Sequence, residues 1–264
     1  MKRFAPVALV ALIALAAPAT AFADLTMKST VVNKAMGGTN TVNTTTFIKG
    51  GKMRTDMITG DTTRSSIIDM DTMKMMSFDS KSKEVSVYDM AKLAADVGKN
   101  VQISDMKASV KANGKTKQVS GKAANGYDME VTVPSQMGGA KGMKLTVTLL
   151  GPVWVVKGGP GTAEYMAFYK NSAEKGFFSD PRSAAAQPGQ AKAMGEMYRQ
   201  LAATGGIPYE MEMNVKMSGE GPMAAAFEKM GNISILTTVT SVETGALAAE
   251  MFAAPAGYKV KEQK

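Results

Sequence analysis

Residues Asp69–Asp79 read DMDTMKMMSFD and place Met70, Met73, Met75 and Met76 close together. Such a cluster suits a soft-metal site, a wall facing lipid, or the inside of a β-hairpin. Successive side chains of a strand point to opposite faces, so Met73 and Met75 share one face while Met76 takes the other. The thioethers therefore do not converge without help from elsewhere in the chain. The polar clusters around Asp71-Thr72 and Asp79–Ser82 have turn composition. The stretch reads first as a hairpin.

Outward from it, alternation of period two dominates. Leu25, Met27 and Ser29 alternate with Thr26, Lys28 and Thr30. Thr41–Lys49 is rich in β-branched residues and ends at Gly50-Gly51, after which Met53, Thr55 and Met57 alternate with Lys52, Arg54 and Asp56. Ser65–Met70, Met73–Phe78 and Glu84–Tyr88 follow with short polar turns between them, the pattern of an antiparallel meander. Further strands are expected over Val101–Lys111, Lys115–Lys122, Tyr127–Val133, Met143–Leu149, Ile207–Met217 and Ile233–Val242, with a closing segment near Met251-Phe252. Helical spacing appears in Met90–Val97, Glu164–Lys175 and Ala191–Ala203; in the last, Ala191, Met194, Met197, Tyr198 and Leu201 share one side, and Gly205-Gly206 ends it. The expected fold class is α+β: about ten antiparallel strands by the alternation pattern, with helices covering one face of the sheet.

The N-terminus predicts export. Lys2 and Arg3 precede the apolar run Val7–Ala17, and Ala21-Phe22-Ala23 has the small-residue spacing of a signal-peptidase site, so cleavage is expected after Ala23. That gives a signal peptide over 1–23, a single domain over 24–264 and a periplasmic location. No segment approaches the roughly 20 apolar residues of a helical span, so no transmembrane segment is expected. The 45% hydrophobic content argues for a packed core over disorder. The net charge of +8 comes from scattered lysines, and aromatic content is only 6%, so neither the basic stripe nor the stacking platforms of a nucleic-acid binder are present.

Counting alone excludes several chemistries. There is no cysteine and no histidine. Disulfides, thiol nucleophiles, the usual base of a serine hydrolase and the nitrogen and sulfur ligands of most zinc sites all go with them. Ser104–Lys107 (SDMK) matches Ser-x-x-Lys, but a strand turns its two ends to opposite sides and no Lys-Thr-Gly accompanies it. Gly114-Lys115-Thr116 lacks the first glycine of a phosphate loop, since Ser109 stands there, and Gly158–Gly161 has turn composition. The carboxylate pairs Glu210/Glu212 and Asp69/Asp71 have spacing but no cleft to work in. The reading is a protein that is not an enzyme and needs no cofactor.

Several stretches together resemble a known family. They are Phe47–Arg54 (FIKGGKMR), Ser66–Asp71 (SIIDMD), Lys74–Asp79 (KMMSFD), Lys83–Tyr88 (KEVSVY), Asn125-Gly126-Tyr127, Gly206-Ile207-Pro208 and Phe252–Tyr258 (FAAPAGY). The family is an exported one, domain of unknown function 4412, similar in turn to the outer-membrane lipoprotein carriers LolA and LolB. The resemblance implies a strongly curved antiparallel sheet, an unclosed half-barrel, with helices over its concave face and acyl chains held between. This chain departs from that pattern in carrying methionine where leucine or aromatic residues are usual.

The expected function is therefore binding of an apolar ligand, a lipid or a lipoprotein acyl chain, in a methionine-lined groove. Met53, Met57, Met75, Met211, Met213 and Met217 are expected to line it, with Met194, Met197 and Leu201 from the covering helix. An outer-membrane or lipoprotein partner would fit that role. Methionine is unbranched and polarisable, and it moulds to a flexible ligand. One alternative is a periplasmic Cu(I)-binding protein using Met70, Met73, Met75 and Met76, because thioethers select Cu(I). Another is a non-enzymatic interaction scaffold.

Overall fold

The computed structural model describes residues 23–35, 38–92, 95, 106–137, 143–175, 188–219 and 233–263. Twelve strands form one sheet: β1 (Leu25–Ala35), β2 (Gly38–Lys49), β3 (Lys52–Thr59), β4 (Thr62–Asp69), β5 (Lys74–Asp79), β6 (Glu84–Asp89), β7 (Lys107–Val119), β8 (Lys122–Met137), β9 (Met143–Lys157), β10 (Gly206–Gly219), β11 (Ile233–Thr244) and β12 (Lys259–Glu262). Two helices, α1 (Thr162–Glu174) and α2 (Pro188–Ala203), and a 3-10 turn at Ala249–Phe252 complete the described elements. The strand order is β12-β6-β5-β4-β3-β2-β1-β11-β10-β9-β8-β7, and the sheet does not close. Residues 1–22 of the predicted signal segment, half of the predicted Met90–Val97 helix and the start of the Ser104–Lys107 motif lie outside the described residues.

Sheet dominates, so the α+β expectation holds only with the weight moved to β structure. Against the expected count of about ten strands, the described residues form twelve. Met251-Phe252 is not a strand but part of the 3-10 turn, and the closing strand is β12, which runs parallel to β6. The expected strand Met143–Leu149 continues to Lys157 through Gly151-Pro152. Asp69 ends β4 by accepting from the N–H groups of Asp71 (2.9 Å) and Thr72 (3.1 Å), and Met73 then takes a positive φ of 52°. This Asx turn makes DMDTMKMMSFD a hairpin.

The register sets the faces. Leu25, Ile48, Met53, Ile68, Met75 and Tyr88 stand opposite one another in turn across β1–β6. The next row on this face is Met27, Thr46, Thr55, Ser66, Ser77 and Ser86. On the other face runs Phe47, Arg54, Ile67, Met76 and Val87. The C-terminal segment covers that second face: Phe252 is buried against Ile67, Phe78, Val85 and Val87, with Leu247, Met251 and Tyr258 alongside. Arg54 Nη1 donates to the Met251 carbonyl (3.0 Å), and Asp24 Oδ2 receives both Lys49 Nζ (2.7 Å) and the Leu247 N–H (2.7 Å). Both faces of β4 and β5 are at least partly covered, which is why Ile67-Ile68 and Met75-Met76 occur as apolar doublets in place of alternation.

Both helices pack on the face bearing the Met53–Ile68–Met75 row. α2 buries Ala193, Met197 and Leu201 against Tyr127, Met129, Val131, Leu149 and Val153 of β8 and β9. α1 buries Tyr165 and Phe168 in the cluster that holds Leu25, Ile48, Met70 and Met75. At the β7 end the sheet curls: the overhanging β7–β8 turn reaches β11, where Ser120 Oγ donates to the Val239 carbonyl at 2.6 Å. Lys117 there pairs with Glu210 (2.5 Å) and sits 4.5 Å from the centre of the Trp154 ring. At Ala108 and Val110 a side-chain amide occupies the outer edge of β7. Gln200 Oε1 accepts from Val110 N–H (2.8 Å) and its Nε2 donates to the Ala108 carbonyl (2.9 Å), taking the place of a neighbouring strand.

Candidate functional site

A cleft of about 650 Å³ opens between β3–β6 and the two helices. Its apolar end is floored by Met53, Ile68 and Met75 and roofed by Phe168 and Tyr169 of α1 and Tyr198 of α2. Phe168 and Tyr169 stand next to each other in a helix whose Tyr165, Phe168 and Tyr169 follow i, i+3, i+4 spacing, so one apolar stripe faces the sheet. The rings brace one another: Tyr165–Tyr169 centroids are 4.5 Å apart, Phe168–Tyr169 meet edge-on at 5.5 Å, and Tyr169 stacks on Tyr198 at 5.5 Å. Such ring pairs add to simple area burial and hold the two helices in a fixed relation. Burial pushes the Tyr165, Tyr169 and Tyr198 hydroxyls above the ordinary phenol range, so the roof carries no charge at neutral pH.

The floor becomes polar in steps. Beyond the methionine row lie Ser66, Ser77 and Ser86, and beyond those Arg64, Asp79 and Glu84. Asp79 closes its own turn, accepting from the N–H groups of Lys81 (2.9 Å) and Ser82 (2.7 Å) and from Ser82 Oγ (3.0 Å); these bonds hold its carboxyl below the usual range. The cleft is amphipathic along its length.

Two carboxylates near the roof and the hairpin have opposite titrations. Glu164, in the first turn of α1, is buried and accepts from Gly50 N–H at 2.6 Å; burial outweighs that bond and raises its carboxyl. Asp69 is also opposed by burial, yet the Lys52 ammonium (3.0 Å) and the N–H groups of Thr72 and Asp71 together lower it. A raised carboxyl means the native state holds its proton longer than the unfolded state, so stability falls as pH climbs above the unfolded value of about 4.3. A lowered one does the reverse: its stabilisation is present above about 3.9 and is lost as pH falls through the native value. Urea titrations at neutral and acidic pH should therefore separate two variants. Glu164→Gln is expected to gain stability relative to wild type as pH rises, and Asp69→Asn to lose it.

The residues predicted as a groove fall in two places. Met53, Met57 and Met75 line the cleft, Met57 being partly exposed at 40%. Met197 and Leu201 are fully buried in the core under α2, with Met194, Met211 and Met213 packed against it. Met217 lies further along β10, opposite Val147. Of the predicted thioether cluster, Met70 and Met75 are buried together with Met73 beside them, while Met76 belongs to the core of the opposite face. The sequence reading did not single out Ile68, Phe168, Tyr169 or the serine row. The i, i+3, i+4 aromatic spacing and the alternate positions of β4–β6 are the signals that could have found them.

No family model matches the chain, and no curated protein matches its sequence, so the resemblance to domain of unknown function 4412 rests on the quoted residues. Among solved structures the chain is similar to an uncharacterized conserved protein of Thermus thermophilus, at 7% identity and a TM-score of 0.38 over 90% of both chains. It is also similar to a LolA superfamily protein of Nitrosomonas europaea, at 6% identity and a TM-score of 0.30, over 88% of this chain and 90% of that one. A third is the Pseudomonas aeruginosa MucA/MucB complex, at 11% identity and a TM-score of 0.33, over 90% of this chain and 58% of that one. These likenesses are coarse and carry no weight for function. No described helix is long and apolar enough to cross a membrane.

Proposed function

We propose that this chain is an exported, periplasmic binding protein, not an enzyme, that holds an apolar chain of a lipid or lipoprotein in the cleft between β3–β6 and the helices. The observation that carries the reading is the cleft bordered by Met53, Ile68 and Met75 on the sheet and by Phe168, Tyr169 and Tyr198 on the helices, with Tyr169 Oη reaching Met53 Sδ at 4.0 Å. A volume of about 650 Å³ suits one ligand of modest size. Each methylene buried there contributes roughly 0.8 kcal/mol, and thioethers adjust to a chain of variable shape. The basic start, the apolar run and the Ala21-Phe22-Ala23 pattern support export. An outer-membrane or lipoprotein partner would deliver or receive the ligand.

Met53→Asp tests the cleft, because Met53 lies on its floor at the edge of the apolar row. The protein purified from the periplasm without detergent is expected to carry lipid mass in native mass spectrometry, and the variant to have lost it while melting cooperatively. Lipid retained by a folded variant, or no lipid on the wild-type protein after incubation with periplasmic lipid extract, would refute the assignment.

A further inference from the structure

We infer that the cleft selects a single-chain amphiphile whose head group is uncharged and hydroxylated, a monoacylglycerol being the simplest case; this rests on the proposed binding of an apolar chain. The tail end is set by Met53, Ile68 and Met75. The head must then lie over the next row, Ser66, Ser77 and Ser86, which runs beside it across β4, β5 and β6. A hydroxyl offers one donor and two acceptors. Ser86 Oγ accepts from Gln263 Nε2 (3.2 Å), whereas Ser66 and Ser77 have no side-chain hydrogen bond to a described residue. Two serine hydroxyls on adjacent strands therefore face the cleft with their bonding capacity open, matched to the vicinal hydroxyls of a glycerol or sugar head.

The charges beyond the serines balance one another, Arg64 and Lys261 against Asp79 and Glu84. Arg64 stands directly opposite Asp79 in the β4–β5 register, and Glu84 pairs with Lys261 at 2.7 Å. A carboxylate or phosphate head drawn to Arg64 would stand beside the carboxylates of Asp79 and Glu84, which line the same end of the cleft. A cationic head would find Asp79 engaged by three donors from its own turn and Glu84 engaged by Lys261. Partly desolvating a charged head beside a charge of its own sign is unfavourable, and a neutral hydroxylated head avoids that cost. The ladder thus reads tail, hydroxyls and neutralised rim from the helices outward.

Isothermal titration calorimetry with three probes of one chain length tests this: monodecanoylglycerol, decanoate and decyltrimethylammonium, each kept below micelle formation. The glycerol ester is expected to bind at least about tenfold tighter than either ion, a difference of roughly 1.4 kcal/mol. In a Ser66→Ala/Ser77→Ala variant with an unchanged melting curve, the ester is expected to fall to the level of the ions, with the ions unaffected. Decanoate or the ammonium binding as tightly as the ester overturns the head-group inference and leaves the apolar-chain reading standing. An unchanged ester affinity in the double variant does the same. If none of the three binds, the proposed function falls, and the head-group inference falls with it.

Discussion

Phe168→Ala is expected to destabilise the protein by about 3–5 kcal/mol, the range for removing a large aromatic from a core. Phe168 is 2% exposed and sits where α1 meets the sheet, in the cluster built around Leu25, Ile48 and Met75. Its ring also meets Tyr169 edge-on. The loss is therefore of two kinds: apolar area returned to water, and the brace that keeps Tyr169 stacked on Tyr198. The first lowers the melting temperature by roughly 10 °C for a chain of this size. The second lets the roof move, so ligand retention should fall further than global stability does. Thermal melts with and without added lipid check both, and a variant that melts within a degree or two of wild type would show that α1 is not anchored by this ring.

Gly151→Val is expected to cost at least about 3 kcal/mol by overpacking, and to act through the backbone. A Cβ at Gly151 would lie 2.0 Å from the Glu212 carbonyl oxygen and 2.9 Å from its carbon. Neither atom belongs to a side chain that can swing away, so β9 and β10 would have to separate between the Leu150–Asn214 and Val153–Met211 pairs. Those two strands position the sheet under α2, and their parting exposes the core of Val131, Leu149, Val153 and Met197. Gly245→Ala is the control, since nothing lies within 4 Å of its added carbon; it should shift stability by less than about 0.5 kcal/mol. Urea denaturation of the two variants side by side distinguishes close strand approach from a general intolerance of glycine replacement.

The meander was legible because its signals are local. Alternation in Leu25–Thr30 and Lys52–Met57, Gly50-Gly51 and Thr59–Asp61 as turns, and the apolar sides of the two helices each report a neighbour within a few residues. The continuation of β9 through Gly151-Pro152 was not legible. Glycine and proline weaken a strand locally, and only the approach of Glu212 from a distant part of the chain explains why glycine stands there. β12 escaped notice because Lys259–Glu262 is short and exposed, and it pairs in parallel with β6 far back in sequence.

The candidate site divides in the same way. Met53, Met57 and Met75 were legible as members of alternating strands. That Met194, Met197, Met211 and Met213 pack a separate core depends on where α2 sits along the sheet, and no local pattern encodes that position. The serine row is a product of register: Ser66, Ser77 and Ser86 are neighbours only because three turns align their strands.

The sequence by itself determined the β-rich class, the places of α1 and α2, the absence of histidine and cysteine chemistry, and the hairpin at Asp69–Asp79, because periodicity, turn residues and composition are properties of short segments. The tertiary structure alone decided which methionines border open space and which are packed. It also set a hydroxyl row beside an apolar one, and it gave the doublets Ile67-Ile68 and Met75-Met76 apolar neighbours on both sides of the sheet. The physical reason is that a side chain's partners across a sheet and beneath a helix come from distant residues, and the long-range pairing that brings them together leaves no trace in any one stretch.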